Sequence, residues 1–235
     1  MQSYFIWNGI DSRSMGIISR HHAPLIRPEE RVTHVEIPGR SGDLTELEGE
    51  HIYNSYIQTV EFSVCGANRV REVFRWLRGS GFVTFSGEPD RKQAARVIGA
   101  VTLDRVSRNL DHWAGQAQFY CQPLKQRLYD TAEELTEAGT VCNHGDVDAL
   151  PVILATLATG ADTITVTVNG SSFVIADADG NRRIDSAAQE VTDANRTELF
   201  TIDSSGDFPV LKPGNNTIGG SGWSKLEIYK GERFL

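Results

Sequence analysis

The sequence has little of what usually signals chemistry or compartment. Its 235 residues include only three cysteines, Cys65, Cys121 and Cys142. They are odd in number and never form a C-x-x-C pair, so a disulfide framework is not expected and reduced thiols are. Long apolar runs are missing as well. The longest, residues 150–158, is broken by Pro151 and Thr156 and falls far short of the ~20 residues a bilayer span requires, so no membrane insertion is expected. The opening residues, Met1 to Gly9, have neither a basic start nor an apolar core, so a secretion signal is not expected either. Positive charge is in deficit: Lys+Arg number 23 against Asp+Glu 31, a formal net charge of -8. A protein that coats nucleic acid needs the opposite balance. An acidic surface instead suits one that nucleic acid slides past without sticking. No P-loop, G-x-G-x-x-G fingerprint, internal repeat or low-complexity tract occurs.

What the chain does have is β pattern. Hydrophobic residues at 40% and charged residues at 23% are ordinary for a globular protein, and the length suits one large domain or two small ones. Phe5-Ile6-Trp7 is a short β-type run that ends at the turn dipeptide Asn8-Gly9. Residues 56–65 alternate, with Tyr56, Val60, Phe62 and Val64 on one face. A single helix follows: Val70, Val73, Phe74 and Leu77 fall at helical spacing among exposed arginines, with Asn68 as the expected N-cap and Gly79 as the stop. Strand-like runs come next at residues 82–85, 95–106 and 114–121. Pro123 is expected to close this block, leaving 124–129 as a connection.

Residues 130–235 show almost no helical period. Ile164, Val166 and Val168 alternate with threonines up to Asn169-Gly170, after which Phe173-Val174-Ile175 resumes, a hairpin. Asp179-Gly180 gives a second hairpin signal, and further strands are expected at 198–202, 217–218 and 224–229. The expected class is therefore mainly β: an N-terminal β-rich domain with one covering helix over 1–129, then an antiparallel β-sandwich or jelly roll over 130–235.

No group of residues assembles into an active site. Ser41 within Gly39-Arg40-Ser41-Gly42-Asp43 is not in a G-x-S-x-G elbow, and a Gly-rich hairpin tip or extended arm accounts for the segment better than a nucleophile served by His34 or His51. Asp177-Ala178-Asp179-Gly180-Asn181 offers alternating carboxylates without the spacing of a calcium loop, and a type I′ turn explains it. Cys142-Asn143-His144 supplies two of the roughly four ligands zinc needs. Trp223 between Gly222 and Ser224 is a core or interface residue, or alternatively a sugar-stacking ring of a carbohydrate-binding module. Neither metal nor cofactor is expected, and the chain reads as a binding or structural protein rather than an enzyme.

Several phrases in order resemble one family, the distal tail (Dit) proteins of long-tailed bacteriophages. The opening Phe5 to Ile17, the segment Ile37-Pro38-Gly39-Arg40-Ser41-Gly42-Asp43-Leu44, and Phe119-Tyr120-Cys121-Gln122-Pro123 carry the resemblance in the first half. Asn143-His144-Gly145 with Ala149-Leu150-Pro151, and Phe208-Pro209-Val210-Leu211-Lys212-Pro213-Gly214-Asn215-Asn216, carry it in the second. The resemblance implies a hub: N-terminal domains closing a homohexameric ring beneath the tail tube protein, DNA passing through the channel without specific binding, and galectin-like C-terminal domains projecting outward. It implies tail-associated, fibre or receptor-binding proteins below the ring. The chain would be made in the bacterial host cytoplasm and end in the virion, at the tail tip of a phage or prophage. Pro38, Gly39, Arg40, Ser41, Gly42, Asp43 and Leu44 are then the expected ring-interface arm, with Trp223 as a sugar or partner contact.

Overall fold

Alternation in the sequence becomes sheet almost everywhere in the computed structural model, which describes residues 3–19, 21–47, 49, 51–107 and 110–235. Contacts within the chain divide it between Leu128 and Tyr129 into two compact units, with the terminal Leu235 grouped with the first.

In the first unit the strands are β1 (Phe5–Trp7), β2 (Ile10–Asp11), β3 (Ile17–Ser19), β4 (Val32–Val35), β5 (Leu44–Leu47), β6 (Tyr56–Cys65), β7 (Ser80–Phe85), β8 (Arg91–Ser107) and β9 (Leu110–Arg127), with one helix, α1 (Ala67–Trp76). Except for β4 and β5, they form one antiparallel sheet in the order β2-β1-β7-β8-β9-β6-β3. The expected turn is present: Asn8 (φ 50°) and Gly9 (φ 79°) are both left-handed, the backbone a type I′ hairpin demands. The core gathers Phe5, Trp7, Phe62, Val73 and Phe119, all essentially buried. Its aromatic rings interlock, with Phe5 stacked on Trp76 at 5.5 Å and Trp7 tilted against Phe119 at 5.3 Å.

Three expectations for this unit need correction. The helix begins at Ala67, so Asn68 is not its cap. The Ala67 N–H is instead taken by the Asp111 carboxylate at 3.0 Å, from the distant strand β9. Phe74 lies outside the core at 43% exposed, and Trp76 replaces it, packed against the core and donating its indole N–H to the Trp7 carbonyl at 3.3 Å. Finally, Pro123 does not end the block, because β9 continues through it to Arg127. The β8 register jumps there, Gln93 facing Lys125 and Ala95 facing Cys121. The proline thus sits in a bulge, where its missing donor breaks no ladder bond.

The second unit is a sandwich of two five-stranded antiparallel sheets. Its strands are β10 (Glu133–Leu135), β11 (Gly139–Asn143), β12 (Val152–Leu157), β13 (Ile164–Val168), β14 (Ser171–Ile175), β15 (Arg182–Asp185), β16 (Glu190–Asp193), β17 (Ser204–Ser205), β18 (Gly214–Ser221) and β19 (Trp223–Tyr229), followed by the short β20 (Arg233–Phe234). One sheet runs β10-β19-β12-β15-β16 and the other β11-β18-β13-β14-β17. Ile153, Ile184, Val191, Leu226 and Ile228 from the first meet Val141, Ile164, Val166, Phe173, Ile175 and Ile218 from the second in one core.

The hairpin at Asn169-Gly170 is as expected, with φ of 51° and 87°. The one at Asp179-Gly180 is not. Strands β14 and β15 belong to different sheets, so the chain crosses the sandwich there, and the left-handed residue is Asp177 (φ 50°) rather than Gly180. The expected strand at 198–202 is a single bridge, Thr192 to Leu199, followed by a 3-10 turn over Thr201–Asp203. Among the described residues no helix is long and apolar enough to cross a membrane.

Candidate assembly surfaces

The segment from Pro38 to Leu44 lies at the end of a hairpin that stands apart from the main sheet. Strands β4 and β5 pair only with each other, Val32 opposite Leu47 and Val35 opposite Leu44. Opposite residues share a face in an antiparallel pair. Val35 and Leu44 therefore lie with Thr33 and Glu46 on one side, and Val32 and Leu47 with His34 and Thr45 on the other. Both sides are open: Val35 and Leu44 are each 39% exposed and Leu47 62%. A two-stranded ribbon with no covering layer is marginally stable in water at best. This one is rooted in the body through the Arg31 N–H to the Ile52 carbonyl at 2.9 Å, the Asn54 N–H to the Glu29 carbonyl at 2.8 Å, and the buried Tyr53.

The loop 36–43 closes the ribbon with two left-handed glycines, Gly39 (φ 83°) and Gly42 (φ 82°). A side chain at either position would meet open space, so only the backbone angle selects glycine there. Among the described residues, the Arg40 guanidinium and the Asp43 carboxylate have no side-chain partner. Ile37 accepts a backbone bond from Arg40 N–H at 3.1 Å and is otherwise exposed. Ser41 and His34 do not form a nucleophile–base pair, since the His34 Nδ1 is 3.3 Å from the Thr45 hydroxyl across the hairpin.

The other singled-out residues scatter. Trp223 is half-buried on the sandwich core and donates its indole N–H to the Thr165 carbonyl at 3.1 Å. The Asp177–Asn181 stretch does not converge on a centre. Asp179 pairs with Arg182 at 2.7 Å, and the Asn181 side-chain carbonyl accepts the Leu157 N–H. The Arg182 hydrogen bond also holds the Asp179 carboxyl below the usual carboxylate range. Cys142 lies in β11, and the neighbouring His144 sits 3.0 Å from the buried Glu232. Among the described residues no group of three or more His, Cys, Asp or Glu side chains is placed to hold a metal ion.

Of the cysteines, Cys121 is buried, and that burial pushes its thiol up to about 12. Cys65 is exposed, with its sulfur 3.3 Å from His112 Nδ1 on the neighbouring strand.

Sequence reasoning placed Leu44 in the expected arm but missed the other apolar flanks of the hairpin, Val35 and Leu47, although the alternation of these residues with Thr33, Thr45 and Glu46 was a usable strand signal. It also missed a turn at the end of β16 organised by one aspartate. Asp193, two residues before Asn195 and four before Thr197, is an Asx-turn signature.

No family model matches the chain, and no curated protein sequence matches it. Among solved structures, the fold is similar to that of the SPP1 Dit (gp 19.1) protein, described as a paradigm of the hub adsorption apparatus in phages infecting Gram-positive bacteria. The likeness covers 100% of both chains with a TM-score of 0.77 at 18% sequence identity. The resemblance drawn from the sequence phrases is thus matched by the fold along the entire chain.

Proposed function

We propose that this chain is a structural hub subunit of a phage or prophage tail tip, six copies of which close into a ring around a channel for DNA. Likeness to a hub protein over the full length of both chains supports this reading. The observation that carries it further is the uncovered β4–β5 ribbon, whose Arg40 and Asp43 side chains have no partner among the described residues. A cyclic ring uses heterologous contacts, in which one patch meets a different patch on the next subunit. A ribbon with apolar residues on both faces is suited to insertion between two neighbours, with residues 37–44 at the contact. Fully burying an exposed apolar side chain contributes about 1.5–3 kcal/mol, so covering Leu47, and the remaining exposed part of Val35 and Leu44, supplies a fraction of that each which the lone chain forgoes.

In this reading the tail tube protein lies above the ring and fibre or receptor-binding components below it. The excess of acid over base keeps DNA moving through the channel without binding. The chain does no chemistry, and the particle's tail tip is its destination. Trp223 has no observation in its favour as a sugar platform, since its N–H is already engaged and part of its ring packs on the core. The test is electron microscopy of intact particles decorated with an antibody against this chain. Label at the distal end of the tail is expected, and label on heads, or on no particle, overturns the proposal.

A further inference from the structure

One surface of the second unit is built beyond what a scaffold needs. The outer face of the sheet β10-β19-β12-β15-β16 carries an open groove of about 410 Å³, lined by Val152, Leu154, Arg183, Ala194, Arg196 and Tyr229. The registers place Leu154 opposite Arg183, and Val152 opposite Tyr229 and Asp185, so the floor is an aliphatic and aromatic strip with polar ends.

The charges on this face are mostly spent on one another. Arg183 is buried and pairs with Asp185 at 2.7 Å, and Lys225 pairs with Glu227. Arg196 is the exception. It is exposed, lines the groove, and among the described residues its guanidinium has no partner.

Its backbone is fixed rather than loose. Arg196 is left-handed at φ 59°, a conformation that costs an ordinary residue roughly 1 kcal/mol or more and persists only where the surroundings impose it. Here they do. The Asp193 carboxylate accepts the N–H groups of Glu198 at 2.9 Å and Thr197 at 2.6 Å, and the Thr197 hydroxyl at 2.8 Å.

We infer that this groove binds an anionic saccharide unit, one carrying a carboxylate or phosphate. The acid group pairs with the Arg196 fork, and the C–H face of the sugar ring lies on Tyr229, Val152 and Leu154. A bare inorganic anion would leave the apolar strip uncovered. A neutral sugar would leave the Arg196 guanidinium unused, although its planar donors match carboxylate or phosphate. The shared chemistry is the acidic sugar, whether a free monosaccharide or one residue of a surface polymer. The inference does not rest on ring closure, because every residue it uses lies within the second unit.

Titration calorimetry on the full chain tests it, with glucuronate, glucose 1-phosphate, an oligoglucuronate, neutral glucose and a glutamate-rich peptide as probes. Saturable binding of glucuronate or glucose 1-phosphate, absent with glucose, is expected. Tighter binding of the oligomer identifies a polymer as the source, and equal affinity per sugar identifies the free acid. Arg196→Gln, on an exposed loop, should raise the dissociation constant about tenfold, the loss of one charge-assisted contact, while Arg196→Lys retains part of the affinity. The mass by light scattering should be the same for all variants. Failure of both acidic sugars to bind at millimolar concentration, equal binding of glucose, preference for the peptide, or an unchanged constant in Arg196→Gln overturns the inference.

Discussion

Two hairpins in this molecule share a topology and differ in every respect that matters for assembly. Strands β13 and β14 turn over the two residues Asn169-Gly170 and bury alternate side chains, Ile164, Val166, Val168, Phe173 and Ile175, in the sandwich core. Strands β4 and β5 turn over the long loop 36–43 and bury almost nothing, though they carry Val35, Leu44 and Leu47. The first is completed by its own chain. The second is apolar enough to be a strand pair yet, among the described residues, has no layer to lie on. In the proposed function that uncovered surface is a partner's place, so one hairpin is a product of folding and the other serves assembly.

The largest test of that contrast is truncation in each hairpin. Phe173→Ala should destabilise the purified chain by about 3–5 kcal/mol through lost burial and a residual cavity, whereas Leu47→Ala should stay within about 0.5 kcal/mol, as exposed substitutions do. Urea unfolding of the two variants reads the difference. Equal losses would mean that the β4–β5 ribbon is packed by its own chain.

The same contrast explains how much the sequence revealed. The period-2 runs of the sandwich and of β6 were legible because one face of each is buried against the chain itself, and burial is what imposes alternation on a sequence. Asn8-Gly9 and Asn169-Gly170 were legible because two consecutive left-handed residues select those types. The N-cap of α1 was not, because the group that serves it, Asp111, arrives from a distant strand. Nor was the path of β9 through Pro123, since a bulge depends on the register of its partner. Residues 37–44 stood out for their glycines, and the hairpin-tip reading agrees with the loop that β4 and β5 flank. The groove around Arg196 escaped notice because β12, β15 and β19 meet only in the folded sheet.

A next-largest effect is expected from Gly222→Ala, in the tight turn between β18 and β19. Gly222 has φ 78°, and an added Cβ would lie 1.7 Å from the Thr163 carbonyl oxygen. The backbone angle alone implies about 1–3 kcal/mol, measurable as a lower unfolding midpoint. Gly39→Ala, at a similar angle but in open space, should lose less.

Thiol chemistry sharpens the comparison without mutation. Burial holds the Cys121 thiol up near 12, while Cys65 is exposed. At pH 8 iodoacetamide should therefore label Cys65 in the native chain and reach Cys121 only after unfolding, as peptide mass spectrometry would report. Native labelling of Cys121 would contradict the packing around Phe119 and Lys125.

The smallest effect concerns the turn that carries Arg196. Hydrogen bonds from the Glu198 N–H and the Thr197 hydroxyl lower the Asp193 carboxyl to about 2. A carboxyl depressed in the folded state stabilises the turn above its unfolded value, about 4, and loses that support as pH falls toward 2. Carbon-detected NMR titration should find Asp193 still ionised at pH 3. A midpoint near 4 would mean that the turn is not held as described.

The central claim is that the uncovered ribbon closes a ring. It is tested most directly by light scattering across a concentration series, comparing the natural chain with an Arg40→Ala, Asp43→Ala double variant of unchanged unfolding midpoint. The account predicts that the natural chain forms a closed species near six times its 25.9 kDa mass, or a pair of such rings, without a ladder of intermediates, and that the variant assembles less completely. A natural chain that stays monomeric at every concentration, or a double variant that assembles as well as the natural one, would contradict it.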